Sequence, residues 1–329
     1  MKAARHSLAY ETRITGAVRL VLVFLLAGIL PVAGGPIPVI LDTDIGDDID
    51  DALALALALR SPELDVRAVI TVFQNREGRA DLAWRILKRY GRDEIPIGMG
   101  AEMPLIAPPR TGPVLQTQFP TPNERMPDSQ RRNGIQLLID TCLRSPGKVT
   151  VVAYGPLTNI ALALRAEPRI KDKIEHLIVM NGRFFSPGTE YNTTCDPEAA
   201  AIVFDSGIPI TAVGLDVTMQ CELEPADMTR MERAAEGPAK FLRDLVDFWY
   251  GNHPEPKHRP ILHDPLALAA VFQPGLIRTE TGRVVVETRG QPGRTYGMTL
   301  FRRDPRGTTR VASAVEARRF MDLFMDRVF

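Results

Sequence analysis

Cysteine is scarce in this chain. There are three in 329 residues, Cys142, Cys195 and Cys221, odd in number and widely spaced. That argues against a disulfide framework, and no Cys/His spacing suits zinc. Cys195 is read as a small packing residue. An excess of one charge is also missing, since 40 Lys and Arg stand against 40 Asp and Glu. No basic surface for nucleic acid is implied. Repeats and low-complexity stretches are absent, and the composition is that of an ordinary soluble globular protein. A bilayer-spanning run, which needs ~20 apolar residues, is lacking too. The nearest approach is residues 20–30, which follow Lys2, Arg5, Arg13 and Arg19 and precede the small residues Val32, Ala33 and Gly34. Residues 1–34 therefore read as a secretory signal peptide, which makes the protein exported, periplasmic or secreted, with no membrane role after cleavage. An uncleaved N-terminal anchor is the alternative, kept open by the long n-region with Glu11. This segment carries four basic residues against one acid, so the remainder sits near −3.

What is present, and concentrated, is aspartate. Asp42, Asp44, Asp47, Asp48, Asp50 and Asp51 lie between an apolar run and an Ala/Leu run. Residues 37–41 read as a short buried parallel strand. Residues 50–59 read as a helix, because Ala and Leu are strong helix formers and Ala is a poor strand former. The acids then fall at a strand's carboxyl end and in the first turn of the next helix, where open α/β sheets bind ligands. Helix capping accounts for one or two of them. It does not account for Asp42 and Asp44 as well. So many carboxylates repel unless something positive sits among them, and a hard divalent cation takes oxygen ligands. Gly46 is the residue for a tight turn.

The stretch Asp42-Thr43-Asp44-Ile45-Gly46, followed by Asp50-Asp51-Ala52, resembles the N-terminal signature of the inosine-uridine-preferring nucleoside hydrolase family. The usual pattern is D-x-D-P-G-x-D-D-A; Ile45 replaces the Pro, and two extra residues separate Gly46 from the Asp pair. Asp48 is therefore an alternative for a role given to Asp50 or Asp51. Further along, Tyr154-Gly155-Pro156-Leu157-Thr158-Asn159 is similar to the family's T-G-G-L-T-N stretch. Glu190-Tyr191-Asn192, then Asp196-Pro197-Glu198-Ala199, is similar to its E-F-N-x-x-x-D-P-E-A stretch, and His263-Asp264-Pro265 to its C-terminal signature. The resemblance runs from about residue 37 to 327.

Around those motifs the chain alternates. Strands are expected over residues 65–71, 149–153, 177–180 and 209–215. Helices are expected over 79–90, 134–143, 158–164, 225–249 with a break at Gly237-Pro238, from Leu266, and over 314–325. Residues 101–127 are rich in Pro and polar residues and read as a long loop near the site, a candidate lid. The reading is one α/β domain over residues 35–329, an open, mostly parallel sheet with helices on both faces.

The resemblance implies hydrolysis of a ribonucleoside to free base and ribose, with Ca²⁺. It implies Asp44, Asp51, Asp264 and the backbone carbonyl of Tyr154 as metal ligands, with Asp50 as general base. Asn75, Glu190 and Asn192 would grip ribose, and His263 would protonate the leaving base. Taken as residues alone, Asn75 and Asp264 are also good helix caps, and a His beside Asp264 is more often incidental. The chemistry is coherent, because cleavage builds positive charge on the sugar and an anionic pocket stabilises it. A homodimer or homotetramer is the family expectation. Two rival classes are a metal-dependent phosphatase acting on a sugar phosphate and a non-catalytic exported nucleoside-binding protein. Purine selectivity in the family goes with stacking on Trp, and neither Trp84 nor Trp249 matches a stacking position. The sequence does not choose the base.

Overall fold

In the computed structural model the described residues are 35–121, 124–234, 236–252 and 259–329. The signal-peptide reading of residues 1–34 lies outside them. Residues Pro36–Phe329 form one compact unit.

The first half alternates strand and helix: β1 (Ile37–Thr43), α1 (Asp50–Leu59), β2 (Leu64–Thr71), α2 (Arg76–Arg89), β3 (Ile97–Met99), β4 (Arg132–Asn133), α3 (Gly134–Arg144), β5 (Val149–Tyr154), α4 (Thr158–Ala166) and β6 (Ile174–Val179). Then come α5 (Tyr191–Cys195), α6 (Pro197–Phe204), β7 (Ile210–Ala212), α7 (Leu215–Thr218), α8 (Pro225–Glu232), α9 (Gly237–Asn252) and α10 (His263–Phe272). The chain closes with β8 (Ile277–Val286), β9 (Thr299–Arg303), β10 (Thr309–Val315) and α11 (Ala317–Val328).

One ten-stranded sheet has the order β4-β3-β2-β1-β5-β6-β7-β10-β8-β9. Pairing is parallel from β4 to β10, and only β8 and β9 add antiparallel rungs at one edge. Alternate residues of β1 explain the layering. Val39 and Leu41 face a core shared with α1, α2, α9, α10 and α11, while Ile40 faces a second core shared with α3, α4 and α6. A strand buried on both faces reads as a continuous apolar run, which is why residues 37–41 were recognisable. The sheet is mostly parallel with helices on both faces, as expected. Strand order reverses between β1 and β5, so their carboxyl ends frame the crevice where such sheets take ligands.

Several boundaries differ from the sequence reading. The strand expected over 209–215 is only Ile210–Ala212, because three rungs to each neighbour are all it makes, and Leu215 already opens α7. The last helix begins at Ala317, not 314, since Ala314 and Val315 still pair with β8. The apolar helix expected from Leu266 begins at His263 with Leu262 as its N-cap. Asp264 therefore sits in the first turn and is not the cap.

The turn after β1 depends on Gly46. Its φ is +120°, and a Cβ there would stand 2.9 Å from Val114 Cγ1 and 3.0 Å from Thr117 Cγ2. Gly46→Ala should therefore lower stability by about 1–3 kcal/mol, from a strained φ plus a steric clash. Urea unfolding would measure it, and a loss within experimental error would show that the turn relaxes freely.

Candidate active site

The site grows out of the end of β1. Thr43 faces α1, accepts from the Ile45 N–H at 3.0 Å and donates its hydroxyl to Asp51 Oδ1 at 2.5 Å. Asp42 points to the opposite face, where Asn159 Nδ2 donates to it at 2.8 Å, so it has no place in the site. Gly155, after β5, lets the backbone pass Asp44, since a Cβ there would lie 2.9 Å from Asp44 Oδ1.

Below the turn lies Arg79, fully buried. Its guanidinium donates to Phe73 O at 2.8 Å, Ile45 O at 3.1 Å and Asp47 Oδ2 at 2.9 Å. It is the cation that eases the ionisation of Asp44 and Asp51. Nothing local in the sequence marked it: it is one arginine on an arginine-rich helix.

The first turns of α1 and α10 meet over the sheet. The Asp264 N–H donates to Asp50 Oδ2 at 3.1 Å. Asp50, Asp51 and Asp264, all buried, offer oxygens within 4.8 Å of one another. Asp44 and Tyr154 line the same hollow of ≈ 460 Å³, together with Asp47, Asp48, Glu190, Asn192 and His263. The four sequence-derived ligand positions are thus brought together. Asp50 stands within the same acid set as Asp51 and Asp264, so place alone does not separate a base from a ligand.

Burial pushes Asp44 up to about 7, with Arg79 opposing and Asp47 adding to the rise. Burial also raises Asp50, Asp51 and Asp264 well above the usual carboxylate range, and each is raised further by its neighbours' charge. These acids resist joint ionisation without added positive charge, and their all-oxygen donor set fits a hard divalent cation.

Glu190 and Asn192 form one wall. Glu190 caps α5, its Oε1 accepting from Asn192 N at 2.6 Å and its Oε2 from Thr193 N at 2.8 Å. Asn192 Nδ2 donates to Met180 O at 3.1 Å. His263, half-buried, places Nδ1 2.7 Å from Thr218 Oγ1, and burial pulls its imidazole down to about 4. Pro113 and Leu115, from the loop 101–127, and Met180, Tyr191 and Leu215 complete the lining. The loop does lie at the site, tied by Arg110, which stacks on the Tyr191 ring at 4.4 Å and donates to Thr194 Oγ1 at 2.8 Å.

Asn75 is not brought in. It caps α2, accepting from the Gly78 N–H at 3.0 Å, and lines a neighbouring hollow with Glu102 and Arg110. The preceding residues turn it there: Phe73 and Gln74 both have positive φ, 70° and 49°. Thr43, Arg79, Tyr191 and Thr218 are site residues that the sequence reading did not single out.

The inosine-uridine preferring nucleoside hydrolase family matches residues 39–322. A pyrimidine-specific ribonucleoside hydrolase of Citrobacter koseri is 33% identical over 309 residues, covering 89% of this chain and 98% of that one. A plant nucleoside hydrolase superposes with a TM-score of 0.78 at 31% identity, over 89% of this chain and 99% of its own. A purine-preferring ribonucleoside hydrolase from Gardnerella vaginalis superposes with a TM-score of 0.78 at 30% identity, over 88% of this chain and 98% of its own.

The raised acids make metal-free stability pH-dependent. A carboxyl that ionises near 3.8 when unfolded and near 7 when folded binds more protons in the folded state, so stability falls as pH rises through that window. The melting-temperature gap between cation-loaded and chelated protein should widen from about pH 4 to about pH 7. A gap constant over that range would mean the acids are not held protonated by burial.

Proposed function

The chain belongs to the inosine-uridine preferring nucleoside hydrolase family, a ribonucleoside hydrolase acting on N-glycosyl bonds, and on that premise we propose that it releases base and ribose with the help of Ca²⁺ held at the acid set. The observation that carries this reading is the buried trio Asp50, Asp51 and Asp264, within 4.8 Å of one another and in one hollow with Glu190 and Asn192. Asp44, Asp51, Asp264 and the Tyr154 carbonyl would hold the ion. When bound, it supplies a positive centre for the ribose diol and for the attacking water.

The chain's own groups do the rest. Asp50 takes the water's proton as general base. Glu190 and Asn192 hold ribose hydroxyls, and the anionic walls stabilise the oxocarbenium-like charge. Asn75 is left out of the grip, because its side chain is committed to the α2 cap. Pro113, Leu115, Met180 and Leu215 exclude water from the sugar. A phosphatase reading has no support here, since no lysine is among the described residues lining the hollow. Neither indole lines the hollow, and several sequence relatives are named for pyrimidine specificity, so a pyrimidine ribonucleoside is the proposed substrate. Export through residues 1–34 and a homodimeric or homotetrameric state belong to the same proposal, and rest on the sequence and the family resemblance.

Chelation should abolish ribose release from uridine. Asp50→Asn should lower kcat by about 10²–10⁴-fold while leaving Ca²⁺ bound, as expected for loss of a general base. Asp51→Asn should instead weaken Ca²⁺ binding. Exchange of those two phenotypes, or inactivity of Asp48→Asn alone, would reassign the roles across the two extra residues. Binding of uridine without ribose release would favour a non-catalytic protein.

His263 is neutral at pH 7 in the metal-free protein, so it meets the departing base through an imidazole N–H. His263→Ala should slow uridine strongly and spare p-nitrophenyl riboside, whose phenolate leaves unaided. Equal slowing of both substrates would recast His263 as a support for Asp264.

A further inference from the structure

We propose that the phenol of Tyr154 is a positioning residue for the cation site, donating its one hydrogen bond to a carboxylate of the acid set, that of Asp51 or of Asp264. This rests on the cation reading of the acid set, and concerns the side chain rather than the backbone carbonyl.

Tyr154 ends β5 directly opposite Thr43 in the parallel register. Residues paired in this way project to the same face of the sheet. Thr43 already serves that face, its hydroxyl bonded to Asp51 Oδ1. Tyr154 is 1% exposed and packs in the core shared with α1 and α10, yet among the described residues its hydroxyl has no hydrogen-bond partner. A buried hydroxyl without a partner lowers stability, and a Phe would fill the same space without that loss.

The surroundings explain why a hydroxyl sits there. Tyr154 lines the acid-walled hollow, and the charges that act on it come first from Asp51 and Asp264, then from Asp42 and Asp50. Thr43 occupies Asp51 Oδ1, and the Asp264 N–H occupies Asp50 Oδ2. Asp264 also shares a side-chain hydrogen bond with Asp50, so the second oxygen of Asp51 and the other oxygen of Asp264 are the acceptors of this set that those bonds leave open. A carboxylate that ligates a metal needs its remaining lone pairs oriented, and outer donors of this kind tune metal affinity. The buried, unengaged hydroxyl is thus placed at the wall of the hollow where a carboxylate that ligates a cation would need a donor.

Tyr154→Phe isolates the hydroxyl, because it keeps the ring and the backbone carbonyl. Ca²⁺ affinity, measured by competition with a fluorescent chelator, should fall ~10- to 100-fold. The metal-free melting temperature should hold or rise, while the gain on adding Ca²⁺ should shrink. The near-ultraviolet tyrosine difference signal that Ca²⁺ produces in the wild type should be lost in the variant. Wild-type affinity and an unchanged thermal gain in Tyr154→Phe would overturn the proposal, as would an equal drop in melting temperature with and without Ca²⁺, which marks a packing role alone. Absence of Ca²⁺ binding in the wild type would overturn the cation reading and this proposal together, whereas equal binding by both proteins would overturn this proposal only.

Discussion

Buried carboxylates repel one another, and the architecture around β1 is arranged to tolerate that repulsion. Asp44, Asp50, Asp51 and Asp264 are withdrawn from water at one end of the sheet. Three features reduce the cost. The first turns of α1 and α10 carry Asp50, Asp51 and Asp264, so the positive ends of both helices face the acids. Thr43 satisfies one oxygen of Asp51. Arg79 sits beneath, wholly buried, with its guanidinium spent on two backbone carbonyls and Asp47. An ion pair with one buried and one partly exposed partner contributes little net stability. The Arg79 charge eases the ionisation of Asp44 and Asp51, and its bonds lock the turn that presents Asp44 and Asp47.

The same turn depends on a neighbour under strain. Phe73 and Gln74 take positive φ, which costs on the order of 1–3 kcal/mol each for residues with a Cβ. They are held there by hydrogen bonds from their N–H groups to Ala101 O at 2.7 Å and Glu102 O at 2.9 Å, and by Arg79 on the Phe73 carbonyl. The strained pair thus joins β2, the loop 101–121 and Arg79 in one unit. That loop in turn donates from Gln116 N to Gly46 O at 2.9 Å and supplies Pro113 and Leu115 to the hollow. The apolar cover over the acids is therefore tied to the turn that carries them.

Much of this was legible in the sequence because its determinants are local. A β-branched run, a cluster of aspartates and an Ala/Leu run told strand, turn and helix with little ambiguity, and α1 begins and ends at the expected residues. His263 and Asp264 were legible as a pair of chemical groups before an apolar helix. Their position within the first turn was not, since Asp264 before Pro265 has equal claim to the cap. The partners that are remote in the chain left no trace. Arg79 reaches back 34 residues to Ile45, and Thr218 meets His263 across 45. Asn75 was misplaced for the converse reason. A strand-end Asn fits a ligand role and a helix cap equally well, and the backbone at Phe73 and Gln74, which no residue type there announces, decided for the cap. The β7 and β10 boundaries depended on how many rungs the neighbouring strands allow, a property of the sheet rather than of either segment.

The stability that this site gives up and the chemistry it performs have one origin. Water around the acids would screen them, lower their pKa values and cost the fold less. It would also screen the carboxylates from the sugar. In a water-poor hollow a fixed negative charge acts on a developing positive charge far more strongly than in bulk solvent, and no solvent has to reorient as the bond breaks. The pressure to ionise and the resistance to it must then be balanced by something positive that is not permanently bonded into the wall. Arg79 does not fill that place, because its donors are engaged below the turn and it does not line the hollow. A mobile cation would, with the further property that its charge would be shared between the acids and whatever oxygen-rich ligand enters. The acid set is thus most costly without added positive charge, and the same repulsion would favour a state in which an ion and a sugar share the hollow.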